Sequence, residues 1–243
     1  MRPLGATDLA PLDQFHTRGL RATMELASEA EIGSDMRVLD IGAGLGGPAR
    51  FLAATYGCRV TGIDASPSFV EVATYLAERT GMSEYVDFRH GDALTLPFDD
   101  ESFDVVWMQH VAMNIADRDA LYREIRRVLV PGGRYVTYDV VADAGSVRYP
   151  VPWAADATTS HLRTQPETLA ALRGAGLRIR SARSETPLAL QWFAGQSGPP
   201  SAIGLGLVLG AEAPQRIANL RENLAAGHIG ILACIAERMA LSV

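Results

Sequence analysis

Cysteine is nearly absent from this chain. Cys58 and Cys234 stand far apart in apolar contexts. That excludes a disulfide framework and a thiolate metal set, and leaves two buried core thiols as the expectation. Positive charge is also scarce. The 22 Lys and Arg against 28 Asp and Glu give a formal net charge of −6. No basic run exceeds a few residues, so a broad nucleic-acid footprint is not expected. No apolar span is long enough to cross a bilayer and no signal-peptide pattern is present. A cytoplasmic location without stable membrane insertion is therefore expected. What is present suffices for one substantial core. The 243 residues are 48% hydrophobic, and a chain of this length buries roughly 70–75% of its unfolded surface. A single domain over residues 1–243 is the expectation.

The most informative stretch is Arg37-Val38-Leu39-Asp40-Ile41-Gly42-Ala43-Gly44-Leu45-Gly46-Gly47. A short apolar run ends in a glycine-rich turn, and residues 48–54 then read as a helix. Strand, turn and helix in this order open a nucleotide-binding α/β domain. Gly42 and Gly44 can take backbone angles closed to other residues and let a ligand approach. A second apolar run, Arg59 to Asp64, ends in an acid 24 residues after Asp40. An acid there can accept hydrogen bonds from both hydroxyls of an adenosine ribose.

The alternation continues. Ser66 or Asp64 caps a helix with Pro67 near its first turn, and Gly81 ends it. Tyr85–His90 is a third strand, followed by Gly91-Asp92-Ala93. Asp92 could bind an adenine amino group, or it could simply cap a turn. Phe103–Trp107 is a central strand, with Met108, Gln109 and His110 just past its end. Ligands in open α/β sheets lie outside the carboxyl ends of strands. Residues 120–129 form an amphipathic helix, with Arg123, Arg126 and Arg127 on its solvated face. A sharp turn at 130–133 leads into a fifth strand over 133–141.

Two regions are less regular. Before the first strand, a helix is expected to begin near Leu12, with Leu20, Met24 and Ala27 on its apolar face. Gln14, Phe15 and His16 lie in it, either as part of a cofactor lid or as a polar turn beside a packing Phe. After the fifth strand, residues 143–161 break the pattern with Tyr149, Trp153 and two prolines. This is either a shaped loop wall or an ordinary surface loop. Thr164 and Glu167 form a capping box, residues 177–184 alternate as a strand, and residues 188–206 read as a second mobile or substrate-facing segment. That segment contains a Gly-Ser-Pro loop at 195–201. Residues 213–226 are a helix. Residues 229–236 are a final strand, with His228 a hydrogen-bonded boundary residue.

Taken in order, Val38–Gly47, Gly62-Ile63-Asp64-Ala65-Ser66, Gly91-Asp92-Ala93, Leu96–Asp104 and Leu129–Gly133 resemble the class I S-adenosylmethionine-dependent methyltransferases. The Asp-Gln-Phe-His segment at 13–16, with Gly19 and Ala22-Thr23, is similar to the small-molecule branch. That branch includes sarcosine and dimethylglycine methyltransferases and the sterol and quinone C-methyltransferases. The resemblance implies a Rossmann-like three-layer α/β sandwich. Its mostly parallel seven-stranded sheet would have the order 3-2-1-4-5-7-6, with an N-terminal helical cap (12–30) and an insert before the last strand. The cofactor-binding core would be 37–141, and residues 142–165 and 186–212 would face the acceptor.

The resemblance also implies S-adenosylmethionine as cofactor and S-adenosylhomocysteine as product. Asp40, Gly42 and Gly44 would surround the methionine part, Asp64 and Ala65 the ribose, and Asp92 and Ala93 the adenine. Met108 and Gln109 would close the pocket, and Gln14 and Phe15 would cover it. His110 and His16 are the catalytic candidates, acting in proton transfer or in positioning. Expected partners are a small-molecule acceptor and no nucleic acid, with a homodimer left open. Two rivals are a nicotinamide oxidoreductase and a non-catalytic cofactor-binding protein. Against the first, Asp40 would meet a pyrophosphate unfavourably but suits an ammonium.

Overall fold

The computed structural model describes residues 4–196, 204 and 206–240. In chain order the elements are α1 (Ala10–Asp13), α2 (Leu20–Glu29), β1 (Arg37–Ile41), α3 (Gly47–Tyr56), β2 (Arg59–Asp64), α4 (Pro67–Arg79), β3 (Val86–His90) and β4 (Phe103–Gln109). Then follow α5 (Arg118–Val128), β5 (Leu129–Ala142), α6 (Gln165–Gly174), β6 (Leu177–Ser184), α7 (Thr186–Gly195), α8 (Gly206–Leu209), α9 (Ala213–Ala225) and β7 (Ile229–Arg238).

The strands form one seven-stranded sheet in the order β3-β2-β1-β4-β5-β7-β6. Strands β1 to β5 run parallel and β7 is antiparallel to β5 and β6, as the resemblance implied. Helices cover both faces, so the central strands are apolar on each side. Successive residues alternate between two cores. Val38, Val105 and Trp107 join α2 and α3 in one. Leu39, Val106 and Met108 join α5 in the other. Both cysteines are buried free thiols within these cores. Among the described residues, no helix is long and apolar enough to cross a membrane.

Several expectations are corrected. The N-terminal segment is not one helix from Leu12. Arg18 and Gly19 take positive φ (66° and 51°), which breaks it into α1, a tight turn at 14–19, and α2. The buried face of α2 is Ala22, Thr23, Leu26 and Ala27, so Met24 points outward and is 50% exposed. The turn expected at 130–133 is absorbed into β5 as a register shift opposite Phe103 and Val105, with Gly132 at φ 80°. Arg127 is not a freely solvated side chain. It bonds to Glu124 and Asp100 and to the carbonyls of Leu96 and Phe98, tying α5 to the connection before β4. Much of the segment expected to be irregular at 188–206 is helix α7. Its Phe193 is buried, and Leu190 and Trp192 pack on the first core. Residues 197–201 of the Gly-Ser-Pro loop lie outside the described residues.

Candidate active site

The carboxyl ends of β1, β2 and β4 converge on the glycine turn. Gly42 and Gly44 adopt positive φ, 71° and 55°, which side chains rarely tolerate. Space enforces the same choice. A Cβ on Gly42 would collide with Val111, and one on Gly44 would lie 3.2 Å from the Phe15 ring. The Gly42 and Ala43 amides both donate to the Ile63 carbonyl, which fastens the turn to β2.

Two acids flank this turn and differ in their partners. Asp64 is half-buried. Its Oδ2 accepts from the Gly44 amide at 2.9 Å and its Oδ1 from the Ser66 amide at 2.9 Å. Each oxygen keeps a lone pair for a further donor. Asp40 is 2% exposed, and its Oδ2 is buried with no hydrogen-bond partner. Burial pushes its carboxyl up to about 8, and the Asp64 carboxylate adds to the rise. A buried carboxyl left in this state is suited to an incoming cation.

The remaining positions that the resemblance implies as cofactor contacts are less enclosed. Asp92 is exposed and its Oδ1 accepts from the Leu94 amide at 2.9 Å, so it caps a turn and has its second oxygen open. Ala65 is exposed and Ala93 half-buried. The Met108 side chain points into the second core, where the Tyr135 hydroxyl meets its sulfur at 3.9 Å. Only its backbone can face the glycine turn.

The cap closes over this end of the sheet. The Phe15 ring rests on Gly44 and meets Phe69 at 6.1 Å between centroids. The Thr23 hydroxyl lies 2.8 Å from Gln14 Oε1, 3.1 Å from His16 Nε2 and 3.2 Å from Gln109 Oε1. It has one hydrogen to donate, so the two amide oxygens compete for it. Gln109 Oε1 also accepts from Trp107 Nε1 at 2.9 Å, while Gln109 Nε2 is buried and unpartnered.

Beside this network three rings meet. His110 stacks on Tyr138 at 5.7 Å and 11°, and His16 stands edge-on to both, at 6.1 Å from His110 and 5.8 Å from Tyr138. The Tyr138 hydroxyl accepts from Thr17 Oγ1 at 3.3 Å. Burial lowers His16 to about 4, opposed by its bond to the Gly19 carbonyl. Burial and the neighbouring His16 lower His110 well below the usual histidine range. Both imidazoles are therefore neutral near pH 7. His110 Nε2 is buried without a partner, whereas His16 Nε2 is committed to Gly19 and Thr23. The sequence contains no lysine, so no lysine amine shares this pocket.

Two structural contacts beside the site are not legible in the sequence. Asp13 and Arg50 form a fully buried ion pair at 2.6 Å, and Arg50 also donates to the Leu45 carbonyl at 2.7 Å. The pair latches the cap to the glycine turn. Arg18, also buried, bonds to Glu185 at the start of α7 and to Glu25. Only the charge pattern hinted at either, and nothing in it selects these partners. His228 does sit at a boundary, with Nδ1 3.3 Å from Asn223 Oδ1. Among the described residues, no group of three or more His, Cys, Asp or Glu could hold a metal.

Comparison with known proteins gives related sequences and folds. Residues 39–137 match a family model described as a methyltransferase domain. Methyltransferase GfsG from Streptomyces halstedii is 37% identical over 134 residues, which are 55% of this chain and 48% of that protein. The glycine/sarcosine/dimethylglycine N-methyltransferase of Actinopolyspora halophila is 34% identical over 132 residues, 54% of this chain and 23% of that protein. The matched part thus spans less than half the length of either relative. Among solved structures, that of the [4+2]-cyclase SpnF superimposes with a TM-score of 0.71 at 28% identity, covering 91% of this chain and 81% of that one.

Proposed function

We propose that this chain, which belongs to the class I S-adenosylmethionine-dependent methyltransferases, binds S-adenosylmethionine at the carboxyl ends of β1 to β4 and methylates a small uncharged acceptor, releasing S-adenosylhomocysteine. The observation that carries the reading is Asp40. A buried, unpartnered carboxyl at the end of β1 fits the ammonium of a methionine moiety and opposes a pyrophosphate. Asp64 would hold the ribose with Ala65 beside it, and Asp92 and Ala93 the adenine. Phe15 and Gln14 would cover the donor, and Gly42, Gly44, Gln109 and the Met108 backbone would line it.

The donor, when bound, supplies an activated sulfonium methyl group. The protein's share is then to orient the acceptor, exclude water and manage one proton. His110 Nε2 is the free nitrogen for that proton, and a neutral imidazole can accept it from a hydroxyl or enol. His16, with its nitrogen already bonded, would position the cap instead. The acceptor segments would be 142–165 and 186–212, in which Trp153, Leu162 and Trp192 pack half-buried on the first core. The buried arginines Arg18, Arg50 and Arg118 are all engaged by protein groups, which favours an uncharged acceptor over a phosphorylated one.

Titration calorimetry in two buffers of different ionisation heat tests the donor assignment. A cation beside Asp40 returns its carboxyl to the ionised form, so binding at pH 7 should release about one proton per site. Binding without proton release would overturn the role of Asp40. A second reading has its own support. The likeness to the [4+2]-cyclase runs over 91% of the chain, whereas the two curated relatives match 55% and 54% of it. Under it the donor stays intact and the acceptor half shapes a cycloaddition. Product mass separates the two, since a gained methyl with release of S-adenosylhomocysteine supports transfer and an isomeric product with the donor unspent supports cyclisation.

A further inference from the structure

His110 has φ 54°, a left-handed conformation uncommon outside glycine. Such a residue persists only where its surroundings over-determine it. Its own amide and the residues that follow it are held by a set of contacts. The His110 amide donates to the Tyr138 carbonyl at 2.8 Å, and the His161 amide to the Met113 carbonyl at 2.8 Å. Val111 fills the space beside Gly42. The Ala112 amide donates to Asp139 Oδ2 at 2.8 Å, while Asp139 Oδ1 accepts from the Val140 amide at 2.9 Å.

Asp139 is the costly member of this set. It is a carboxyl 5% exposed inside the central strand β5, a position an apolar residue would fill without desolvation. Burial raises it to about 6, with Arg118 and the amides of Ala112, Val140 and Met113 opposing. The other titratable groups coupled to it are Tyr122 and Tyr135. The Arg118 guanidinium is spent on the Tyr122 hydroxyl and the carbonyls of Ile115 and His161. Besides its neighbour Val140, the Asp139 side chain thus holds backbone amides of the 110–113 turn, those of Ala112 and Met113.

We propose that Asp139 is a positioning residue that locks the 110–113 turn, and that this one turn serves both halves of the site. Val111 braces the glycine turn on the donor side, and His110 presents Nε2 on the acceptor side. The proposal rests on the methyltransferase reading for the meaning of the two halves, but the lock itself does not.

The test is hydrogen exchange at the Ala112 amide together with calorimetric affinity for S-adenosylhomocysteine, in wild type, Asp139→Asn, His110→Gly and the double variant. Asp139→Asn should speed Ala112 exchange at least tenfold and weaken binding about five- to tenfold. Glycine takes a left-handed turn unaided, so in the His110→Gly background the same substitution should change both by less than threefold. Should Asp139→Asn not fold, Asp139→Ser keeps one oxygen without the charge and carries the same readouts. Unchanged Ala112 exchange, or equal effects in both backgrounds, would overturn the lock and make Asp139 a general stability residue. If the wild type fails to bind the nucleoside product, the donor reading fails, while the exchange measurements still decide on Asp139.

Discussion

The two sides of the proposed site, one for the methyl donor and one for the acceptor, are built on opposite electrostatic terms. On the donor side, β1 and β2 end in acids, and one of them, Asp40, has a buried oxygen with no partner. On the acceptor side, β4 and β5 present His110 and Tyr138, and burial keeps both imidazoles neutral. Only one strand step in the sheet separates them, because β1 pairs with β4. The first side is arranged to receive a positive charge. The second carries no charge on its imidazoles near pH 7. The difference suits a reaction in which a cationic donor meets an uncharged acceptor.

The cap bridges both sides, so the harshest way to break the contrast is to release it. Burial pushes Asp13 up and Arg50 down even against each other's charge. The pair is therefore expensive to bury and more expensive to halve. Asp13→Ala should cost about 3–5 kcal/mol in denaturant titration. The double change Asp13→Leu with Arg50→Met should recover most of it. A loss under about 1 kcal/mol in the single variant would mean that the cap is not latched there.

Asp40→Asn comes next and separates function from stability. Donor affinity should fall by about 2–3 kcal/mol, read by calorimetry. The free protein should gain stability, with a definite pH dependence. The folded carboxyl, at about 8, lies above its ordinary 3.8. Between those values the folded state holds a proton that the unfolded state has released, so wild-type stability falls as pH rises from about 4 to about 8. Asn has no such loss. The variant's advantage should be small near pH 4 and reach roughly 2–4 kcal/mol near pH 8. A flat difference across that window would remove the buried charge from the account.

His110→Asn probes the other side with a smaller effect. Asn tolerates the left-handed backbone, so the turn is kept while Nε2 is lost. Turnover should drop about tenfold or more, equivalent to about 1.4 kcal/mol, with the donor Kd within threefold. A wild-type rate would take His110 out of the chemistry, and a large change in Kd would put it on the donor side.

The same contrast explains what could be read from the chain. The donor side is written in short local stretches. Asp40, Gly42 and Gly44 lie in one strand-turn unit, and Asp64 ends the next strand, so spacing alone placed them at one end of the sheet. Asp92 could be read both as a ligand and as a turn cap, and the capping bond is present. The cap and the rest of the site are assembled from residues 14–23, 109–113 and 138–139, and no local pattern states that these meet. The Asp13–Arg50 latch is hidden for the same reason, since its partners lie 37 positions apart. The helical spacing of Leu20, Met24 and Ala27 points to the wrong face for Met24, because the small residues Ala22 and Thr23 pack more closely. Helix α7 is not legible in the sequence because its apolar, aromatic composition has almost no polar face from which to read a period.

The smallest expected effect decides to which side the cap belongs. Phe15 lies in the cap, yet its ring rests on the Gly44 turn and its other neighbour is Phe69 of α4. Both contacts are on the donor side. Phe15→Leu keeps an apolar side chain of similar reach and removes the flat face. The loss is then ring contact rather than burial, about 0.5–1.5 kcal/mol. Donor Kd should rise about threefold to tenfold, while turnover at saturating donor stays within twofold. A split of that kind would make the N-terminal cap a part of the donor pocket that merely borders the acceptor. Reduced turnover at unchanged Kd would reverse the assignment and move the boundary between the two sides from β1/β4 to the Gly44 turn itself.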